Sequence, residues 1–216
     1  ETITISGSDT LTNDIVNNKI GDNYNTPINV VIRGFTEISA TAFQFSLNLV
    51  QVTIPNTVTK IGNGAFQQCY KLNKVIFEEN SRLTFIGVST FSHCKALKSI
   101  TIPPTVTYIG QSAFQSTGLT SITIPPSVST LMILAFANCP NLETVTFEGI
   151  SALGTPDWSL FQASTNVKTN IPESISSTIP PPLSSPPPPS FWCFAMPSIK
   201  ILRFWAYSGI VEEIWL

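Results

Sequence analysis

The sequence predicts a solenoid in which about five or six similar coils, each a short strand with a compact return, stack on one another. Three observations predict it. A segment of the type Ile-Gly-x-x-Ala-Phe recurs every 22 to 25 residues, a Leu follows each copy, and alternating apolar residues follow that Leu. Hydrophobic residues make up 43% of the chain and charged residues 11%, which supplies the shared core that stacked coils need.

The clearest copies of the recurring segment are Ile61–Cys69 and Ile86–Cys94, followed by Ile109–Ser116 and the more divergent Leu131–Cys139. Their phenylalanines and that of an earlier copy occupy positions 43, 66, 91, 114 and 136, so the steps are 23, 25, 23 and 22 residues. Phe161 extends the series by a further 25. Because one strand and its return cannot bury an apolar face alone, we expect these rings to align in one buried column.

The strands supply two more buried columns, because side chains of a strand alternate between its two faces. Pro55, Pro103 and Pro125 follow their strands and end the pairing, since proline has no N–H to donate. The Gly-x-x-Ala-Phe segments favour short helical, 3-10 or irregular returns. The first column is Val52, Val75, Ile100, Ile122 and Val145, and the second is Ile54, Phe77, Ile102, Ile124 and Phe147.

The stretch from Ile102 to Phe114, Ile-Pro-Pro-Thr-Val-Thr-Tyr-Ile-Gly-Gln-Ser-Ala-Phe, resembles the BspA-type (Treponema pallidum-type) leucine-rich repeat. The resemblance covers about residues 28 to 165. It implies a leucine-rich-repeat solenoid of the α/β type, mostly strand and irregular structure, with short parallel strands stacked in one sheet. Proteins of this family are typically surface or secreted molecules associated with adhesion to host matrix or cells. The resemblance therefore implies a surface antigen or adhesin, located at the cell surface or secreted.

The chain divides into four predicted segments. Residues 1–27 do not fit the repeat and are expected to cap the stack, with a strand at Thr2–Ile5 and a short helix that Asp9 caps. The repeats occupy residues 28–170. A Pro/Ser-rich linker of polyproline character occupies residues 171–190, and its composition favours a spacer over a ligand for proline-binding domains.

An aromatic and apolar tail of unknown role follows at residues 191–216. A membrane span needs about 20 mostly apolar residues. Lys200 and Arg203 interrupt the tail, and Glu212 and Glu213 close it. The composition therefore favours an interfacial segment, or the start of a further region, over a membrane span. No signal-peptide pattern precedes the strand at Thr2, so the predicted location rests on the resemblance alone.

Three cysteines, Cys69, Cys94 and Cys139, recur at one position of the repeat, and Ser116 is assigned to the remaining slot. Cys69 and Cys94 belong to neighbouring coils, whereas Cys94 and Cys139 are two coils apart, beyond the reach of a disulfide. A column of small buried thiols is the favoured interpretation, because no zinc-ligand spacing is present.

The remaining polar residues do not predict an active site. His93, the single histidine, precedes Cys94 in a turn with no nucleophile motif nearby, and Glu78–Glu79 is interpreted as a solvated pair in a longer loop. A net charge of −2 argues against a nucleic-acid ligand. We expect no enzyme activity, no metal and no cofactor.

The outward positions of the strands remain as a predicted binding face. Such a face, mostly neutral Ser and Thr, suits contact with a protein partner, although Thr also suits any exposed strand. Lys71, Lys74, Lys95 and Lys98 add a modest basic cluster that could attract an acidic partner, although the favoured interpretation is that they only solubilise the coil. The predicted face consists of Gln51, Thr53, Lys74, Ile76, Ser99, Thr101, Ser121, Thr123, Thr144 and Thr146.

The functional hypothesis is a non-enzymatic protein-interaction module, a surface antigen or adhesin that binds host or matrix proteins through this face. The alternative is a structural spacer, in which the repeats and the proline-rich run project another region and have no ligand of their own.

Overall fold

The computed structural model describes residues 1–20, 26–148, 158–164 and 167–170. They form a parallel β-solenoid of about seven coils, which confirms the predicted fold class. The predicted linker at residues 171–190 and the tail at 191–216 lie outside the described residues.

In chain order the elements are β1 Thr2–Ser6, β2 Thr10–Leu11, α1 Asn13–Ile20, β3 Ile28–Arg33, β4 Glu37–Ile38, β5 Leu49–Ile54, β6 Lys60–Ile61, β7 Lys74–Phe77, β8 Phe85–Ile86, β9 Tyr108–Ile109, β10 Ser121–Ile124, β11 Thr130–Leu131, β12 Thr144–Phe147, the 3-10 helix Trp158–Phe161 and β13 Lys168–Thr169.

The longer strands form the first side of the solenoid, here called the strand wall. β1, β3, β5 and β7 pair in parallel in that order, and β10, β12 and β13 form a second parallel sheet. Val52 faces Val75 and Ile122 faces Val145 in register, as the period of two predicts. The two predicted columns therefore exist, and all their members are buried except the half-buried Phe77.

The two-residue strands form the short-strand wall, a single sheet in the order β11, β9, β8, β6, β4 and β2. Its register pairs Ile38 with Ile61 and Ile86 with Ile109, and all four side chains are buried. On the outer side the rings of Phe85 and Tyr108 stack, with centroids 4.6 Å apart. This wall runs without a break from the first coil to the sixth.

The returns form the third side, the return wall, and it contains the predicted column of phenylalanines. Successive rings from Phe43 to Phe161 stack with centroid separations between 5.0 and 5.9 Å. Each Phe backbone N–H donates to the next coil, for example Phe66 to the carbonyl of Thr90 at 2.9 Å. Buried rings and interlocked backbone thus hold consecutive coils together.

The returns are chains of tight turns in which right-handed and left-handed residues alternate. From Phe43 to Phe136, the position two residues before each Phe has a φ of about +60°, with values of 62° at Gly64 and 62° at Leu134. The position two residues after each Phe is also left-handed, as at Gln68 (60°) and Asn138 (55°). Because of this alternation, every second N–H of a return points along the solenoid axis and donates to a carbonyl of the next return. Successive returns are therefore hydrogen-bonded to one another although few of them are helical.

The first twenty residues form a coil of their own, which raises the number of coils above the five or six expected. β1 pairs with β3, β2 pairs with β4, and α1 replaces the return. The expectation that Asp9 caps the helix is wrong. Asp9 has a φ of 61° and uses its carbonyl to accept hydrogen bonds from Thr36 and Glu37, while the helix begins at Asn13, after Thr12.

The side chain of Asn13 substitutes for the backbone of a missing neighbour. Its amide nitrogen donates to the carbonyls of Thr41, at 3.2 Å, and Ala42, at 3.0 Å. In the interior returns the carbonyl equivalent to that of Ala42 accepts from a Phe N–H, as when Ala65 accepts from Phe43. Val16, also on α1, is buried in the same core.

The fifth coil, which contains Phe114, departs from the repeat in two ways. Residues 97–102, which the alternating pattern predicts as a strand, have no strand geometry, so two sheets stand where one was expected. The corner after its return is also one residue shorter than the others. Gly118 lies in this corner, and a Cβ there would be only 2.3 Å from the carbonyl oxygen of Lys95.

Candidate interaction surface

The predicted binding face consists of two outward columns on the strand wall. In register, Gln51 lies beside Lys74, and Thr53 beside Ile76. Farther along, Ser121 lies beside Thr144, and Thr123 beside Thr146. Ser99 and Thr101 are exposed but belong to the irregular segment between the two sheets, so no ladder fixes their position.

The columns extend beyond the ten predicted residues at both ends. Thr2 pairs with Asn29 and Asn29 with Gln51, while Thr144 pairs with Lys168. Sequence reasoning missed Thr2 because residues 1–27 did not match the repeat, and it missed Asn29 and Lys168 because the columns were assigned only from residue 51 to residue 146. The alternation of Thr2-Ile3-Thr4-Ile5 was the signal that could have placed them in the face.

The side chains of the face are short, and most are uncharged. Of the ten predicted residues only Lys74 carries a charge; Gln51, Thr53, Ile76 and Thr146 are half-buried, and the others are exposed. Adjacent parallel strands hold these hydroxyl and amide groups in fixed rows. Such an array can exchange hydrogen bonds with a partner without first ordering long side chains, and this lowers the entropic cost of association.

Cys69, Cys94 and Cys139 are free thiols in a buried column, as predicted. Each Sγ donates to the carbonyl of the Phe one coil earlier: Cys69 to Phe43 at 3.0 Å and Cys94 to Phe66 at 3.2 Å. Burial raises the pKa of the Cys69 thiol from its ordinary value of 9.0 to about 12, and burial likewise raises the pKa of Cys94. The thiols are therefore protonated at neutral pH and serve as small, hydrogen-bonded core residues.

The assignment of Ser116 to this column is wrong. Thr117, three residues after Phe114, occupies the slot, and its hydroxyl lies 3.3 Å from Sγ of Cys139. The error arose because the shortened corner moved the following Leu119 one residue closer. Ser116 instead occupies the left-handed position two residues after Phe114.

The residues considered as candidates for catalysis, His93 and Glu78, take part in local hydrogen bonds of the fold. Nδ1 of His93 lies 2.8 Å from Oγ of Ser92, but Ser92 is buried and so has no access to a substrate. A carboxylate oxygen of Glu78 accepts from the backbone N–H of Asn56 at 3.2 Å. Across the described ranges, no group of three or more His, Cys, Asp or Glu side chains could hold a metal ion.

A cleft of about 390 Å³ lies beside the shortened corner. Gly118 and Thr120 line it from the fifth coil's side, and Pro140 and Asn141 belong to the next, full-length corner. Its rim carries charges of opposite sign. The lining residues are Lys98, Gly118, Thr120, Pro140, Asn141, Leu142 and Glu143.

Parallel strands, stacked returns and an unbroken phenylalanine column define a leucine-rich-repeat solenoid. The sequence model of the family described as BspA type leucine rich repeat region matches residues 36–168 of this chain in six copies. The chain belongs to this family. Membership supports a role as a protein-interaction module. None of the described helices is both long enough and apolar enough to cross a bilayer.

Solved structures share the fold. A leucine-rich repeat protein from Bacteroides ovatus is 34% identical over 63% of this chain, with a TM-score of 0.53, and the chain spans 34% of its length. The leucine-rich repeat protein of T. pallidum is 29% identical over 66% of this chain and 68% of its own, with a TM-score of 0.59. A protein from Eubacterium ventriosum, at 23% identity and a TM-score of 0.53, shares the fold alone. No curated protein gives a significant match.

Proposed function

We propose that this chain is a non-enzymatic binding module of a surface or secreted antigen or adhesin, which contacts host or matrix proteins through the outward columns of the strand wall. The observation that carries the proposal is the face itself, in which short, mostly uncharged polar side chains stand in register along several coils. A broad and rigid array of this kind suits a macromolecular surface better than a small substrate, which binds in a concave pocket.

The chemistry of the buried groups supports a binding role over a catalytic one. The buried titratable side chains found among the described residues are thiols, and burial raises the pKa of Cys139 as it does those of Cys69 and Cys94. A catalytic thiol needs a lowered pKa, because the thiolate is the nucleophile. These thiols are shifted in the opposite direction.

The experiment that tests the proposal compares two charge-matched double variants. Thr101→Glu with Thr123→Glu places two carboxylates on the face, where both side chains are exposed. Gln111→Glu with Ser129→Glu adds the same charge at exposed positions away from the strand wall. Circular dichroism and thermal unfolding establish that both variants fold.

We expect the first variant to lose attachment to immobilised extracellular matrix and to cultured epithelial cells, because unpaired carboxylates would be desolvated at the interface. The second variant should attach like the unmodified chain. Equal attachment by all three proteins would contradict the proposal. Attachment by none would instead favour a spacer, in which the coils only project another part of the protein.

A further inference from the structure

Four exposed lysines form a patch at two neighbouring corners of the solenoid, here called the basic corner. Lys71 and Lys74 follow the return of Phe66, and Lys95 and Lys98 follow the return of Phe91. The equivalent corners before and after carry no lysine: Leu47 and Asn48 precede them, and Gly118 follows. Four of the eleven basic residues of the chain are thus concentrated within two coils.

Exposed apolar side chains adjoin the basic corner on the side of the preceding coil. Phe45, Leu47 and Tyr70 remain 51%, 41% and 38% exposed. Leu47, Tyr70 and Lys95 occupy the same position of successive corners, each four residues after its Phe, and therefore lie side by side. The ammonium group of Lys95 is 5.6 Å from the centre of the Tyr70 ring. Apolar, aromatic and basic side chains thus follow one another along the axis.

The carboxylates nearest to the basic corner in sequence lie at the opposite end of the strands, whereas Glu143, just before β12, lies at the same end, beyond Lys98. None of the four ammonium groups forms an ion pair with a carboxylate within the described part of the chain. The nearest carboxylates in sequence, Glu78 and Glu79, follow the far end of β7, and Glu148 follows the far end of β12. The basic corner consequently offers to an outside ligand four cations that have no carboxylate partner among the described residues, and one of them, Lys95, also contacts the Tyr70 ring.

We propose that the basic corner, with Phe45, Leu47 and Tyr70, binds an extended acidic segment of a protein partner that carries an apolar anchor. The proposal deepens the binding role inferred above, because it names a class of partner. Coils are about 5 Å apart, as the ring separations of 5.0 and 5.3 Å show, so Leu47, the apolar residue two coils before Lys95, is about 10 Å from it along the axis. An extended chain rises about 3.3 Å per residue, so the acidic residues follow the anchor by about three positions.

The apolar half of the patch favours a protein segment over other anions. A sulfated polysaccharide would satisfy the lysines but would leave Phe45 and Leu47 without apolar contacts. An acidic peptide with an aromatic or aliphatic residue covers both halves. Glu143, at the rim of the cleft beyond Lys98, repels further acidic residues and sets the direction in which the segment lies.

The test uses a fluorescein-labelled synthetic peptide in which Phe-Leu is followed by Asp-Glu-Asp-Glu, titrated with the full chain and followed by fluorescence anisotropy. Lys71→Gln with Lys95→Gln should weaken binding on the order of tenfold at low salt, and the difference should shrink in 0.5 M NaCl. Lys19→Gln with Lys60→Gln, which removes the same charge at exposed positions away from the strand wall, should leave the affinity unchanged.

The apolar half is tested by Phe45→Asn, which suits the left-handed φ of 61° at this position and so preserves the fold. It should weaken binding by about threefold at low and high salt alike, because apolar contacts are not screened. Equal affinity of all variants, or binding of heparin or of vesicles containing phosphatidylserine in preference to the peptide, would overturn the proposal.

The substitutions Thr101→Glu and Thr123→Glu separate this proposal from the broader one. If the lysine variant still attaches to matrix and cells and still binds the peptide, the basic corner is not the site although the face can be. If the Lys71→Gln, Lys95→Gln variant no longer binds the peptide while the Thr101→Glu, Thr123→Glu variant attaches to matrix and cells like the unmodified chain, the basic corner is the binding site and the outward columns of the strand wall are not.

Discussion

The return wall and the strand wall both bury apolar side chains, yet only the phenylalanine stack of the return wall, and not the pairing of the strand wall, continues through every coil that follows the first. The phenylalanine stack continues through the fifth coil, where Phe114 lies 5.5 Å from Phe91 and 5.6 Å from Phe136. In the same coil residues 97–102 leave the strand wall without a strand. The difference teaches that the returns hold the coils in register, so the strand wall is free to vary in its pairing and in its outward residues.

The first and largest test of this comparison is Phe91→Ala. It removes a fully buried ring that stacks on Phe66 and Phe114. We expect a loss of about 3–5 kcal/mol in the free energy of unfolding, as for other buried aromatic truncations, measured by urea denaturation. Phe77→Ala, at a half-buried ring on the strand wall, should lose less than half of that. Similar losses would mean that the two walls contribute equally.

The second test concerns the glycines that set the separation of the coils. In Gly110→Ala the new Cβ would lie 2.6 Å from the carbonyl carbon of Gly87 and from the nitrogen of Val88, and backbone atoms cannot rotate away. Strain of this kind costs about 1–3 kcal/mol. Gly64→Ala should cost only about 1 kcal/mol, the price of a left-handed residue, since its nearest atom is the flexible end of Gln67 at 3.3 Å. Equal losses in thermal unfolding would refute the spacing argument.

The third test uses alkaline pH to probe the thiols of the return wall. Because folding raises the pKa of Cys69 to about 12, the folded state retains a proton that the unfolded state loses above pH 9. The thiol's contribution to stability is thus fully present below pH 9 and is lost as the pH rises toward 12. Titration of the Cys69 thiol in the unfolded state lowers the unfolding free energy by about 1.4 kcal/mol per pH unit in that range.

Cys69→Thr supplies the control for the pH test, because Thr117 already occupies the equivalent position two coils away with a hydrogen-bonding hydroxyl. The variant should lose stability less steeply than the unmodified chain between pH 9.5 and 10.5 in urea titrations. Identical slopes would show that Cys69 is not held protonated by burial.

The smallest expected effect is a gain. Leu134 has a φ of 62°, a left-handed conformation that costs a branched side chain about 1–2 kcal/mol and that Asn adopts more readily. Leu134→Asn should raise the free energy of unfolding by up to about 1 kcal/mol. Leu131→Asn, the same exchange on β11, should lower it. A loss in both variants would show that apolar packing of Leu134 outweighs its backbone strain.

Much of the solenoid could be predicted because its columns obey fixed spacings. The near-constant sequence spacing of Phe43, Phe66 and Phe91 predicted the stack of rings, and the two-residue period of a strand predicted the two buried columns of the strand wall. The spacing failed where one residue is missing, at Gly118, so Ser116 was placed in the slot of Thr117. It also failed at residues 97–102, because apolar alternation predicts burial of Ile100 and Ile102 but does not establish that their backbone pairs with neighbouring strands.

The candidate surfaces were less predictable than the core. Alternation identified the outward residues of the strand wall, yet it does not identify which of them contact a partner, and this part of the hypothesis stays a prediction. The lysines were visible in the sequence as a cluster. Their proximity to Phe45 and Leu47 was not, because it depends on how successive corners align across coils. The predicted division into cap, repeats, linker and tail likewise stays a prediction.

The backbone hydrogen bonds that join the return of one coil to the return of the next run one way, from N–H groups of the earlier coil to carbonyls of the later one. One end of such an array exposes carbonyl acceptors and the other end exposes N–H donors. An additional coil inserted between two existing coils would therefore accept hydrogen bonds from the coil before it and donate to the coil after it. Lengthening by duplication therefore requires no new kind of contact, only another copy of an old one. Asn13, whose amide donates to carbonyls of the second coil at the N-terminal end of the solenoid, would keep this role when coils are added after it.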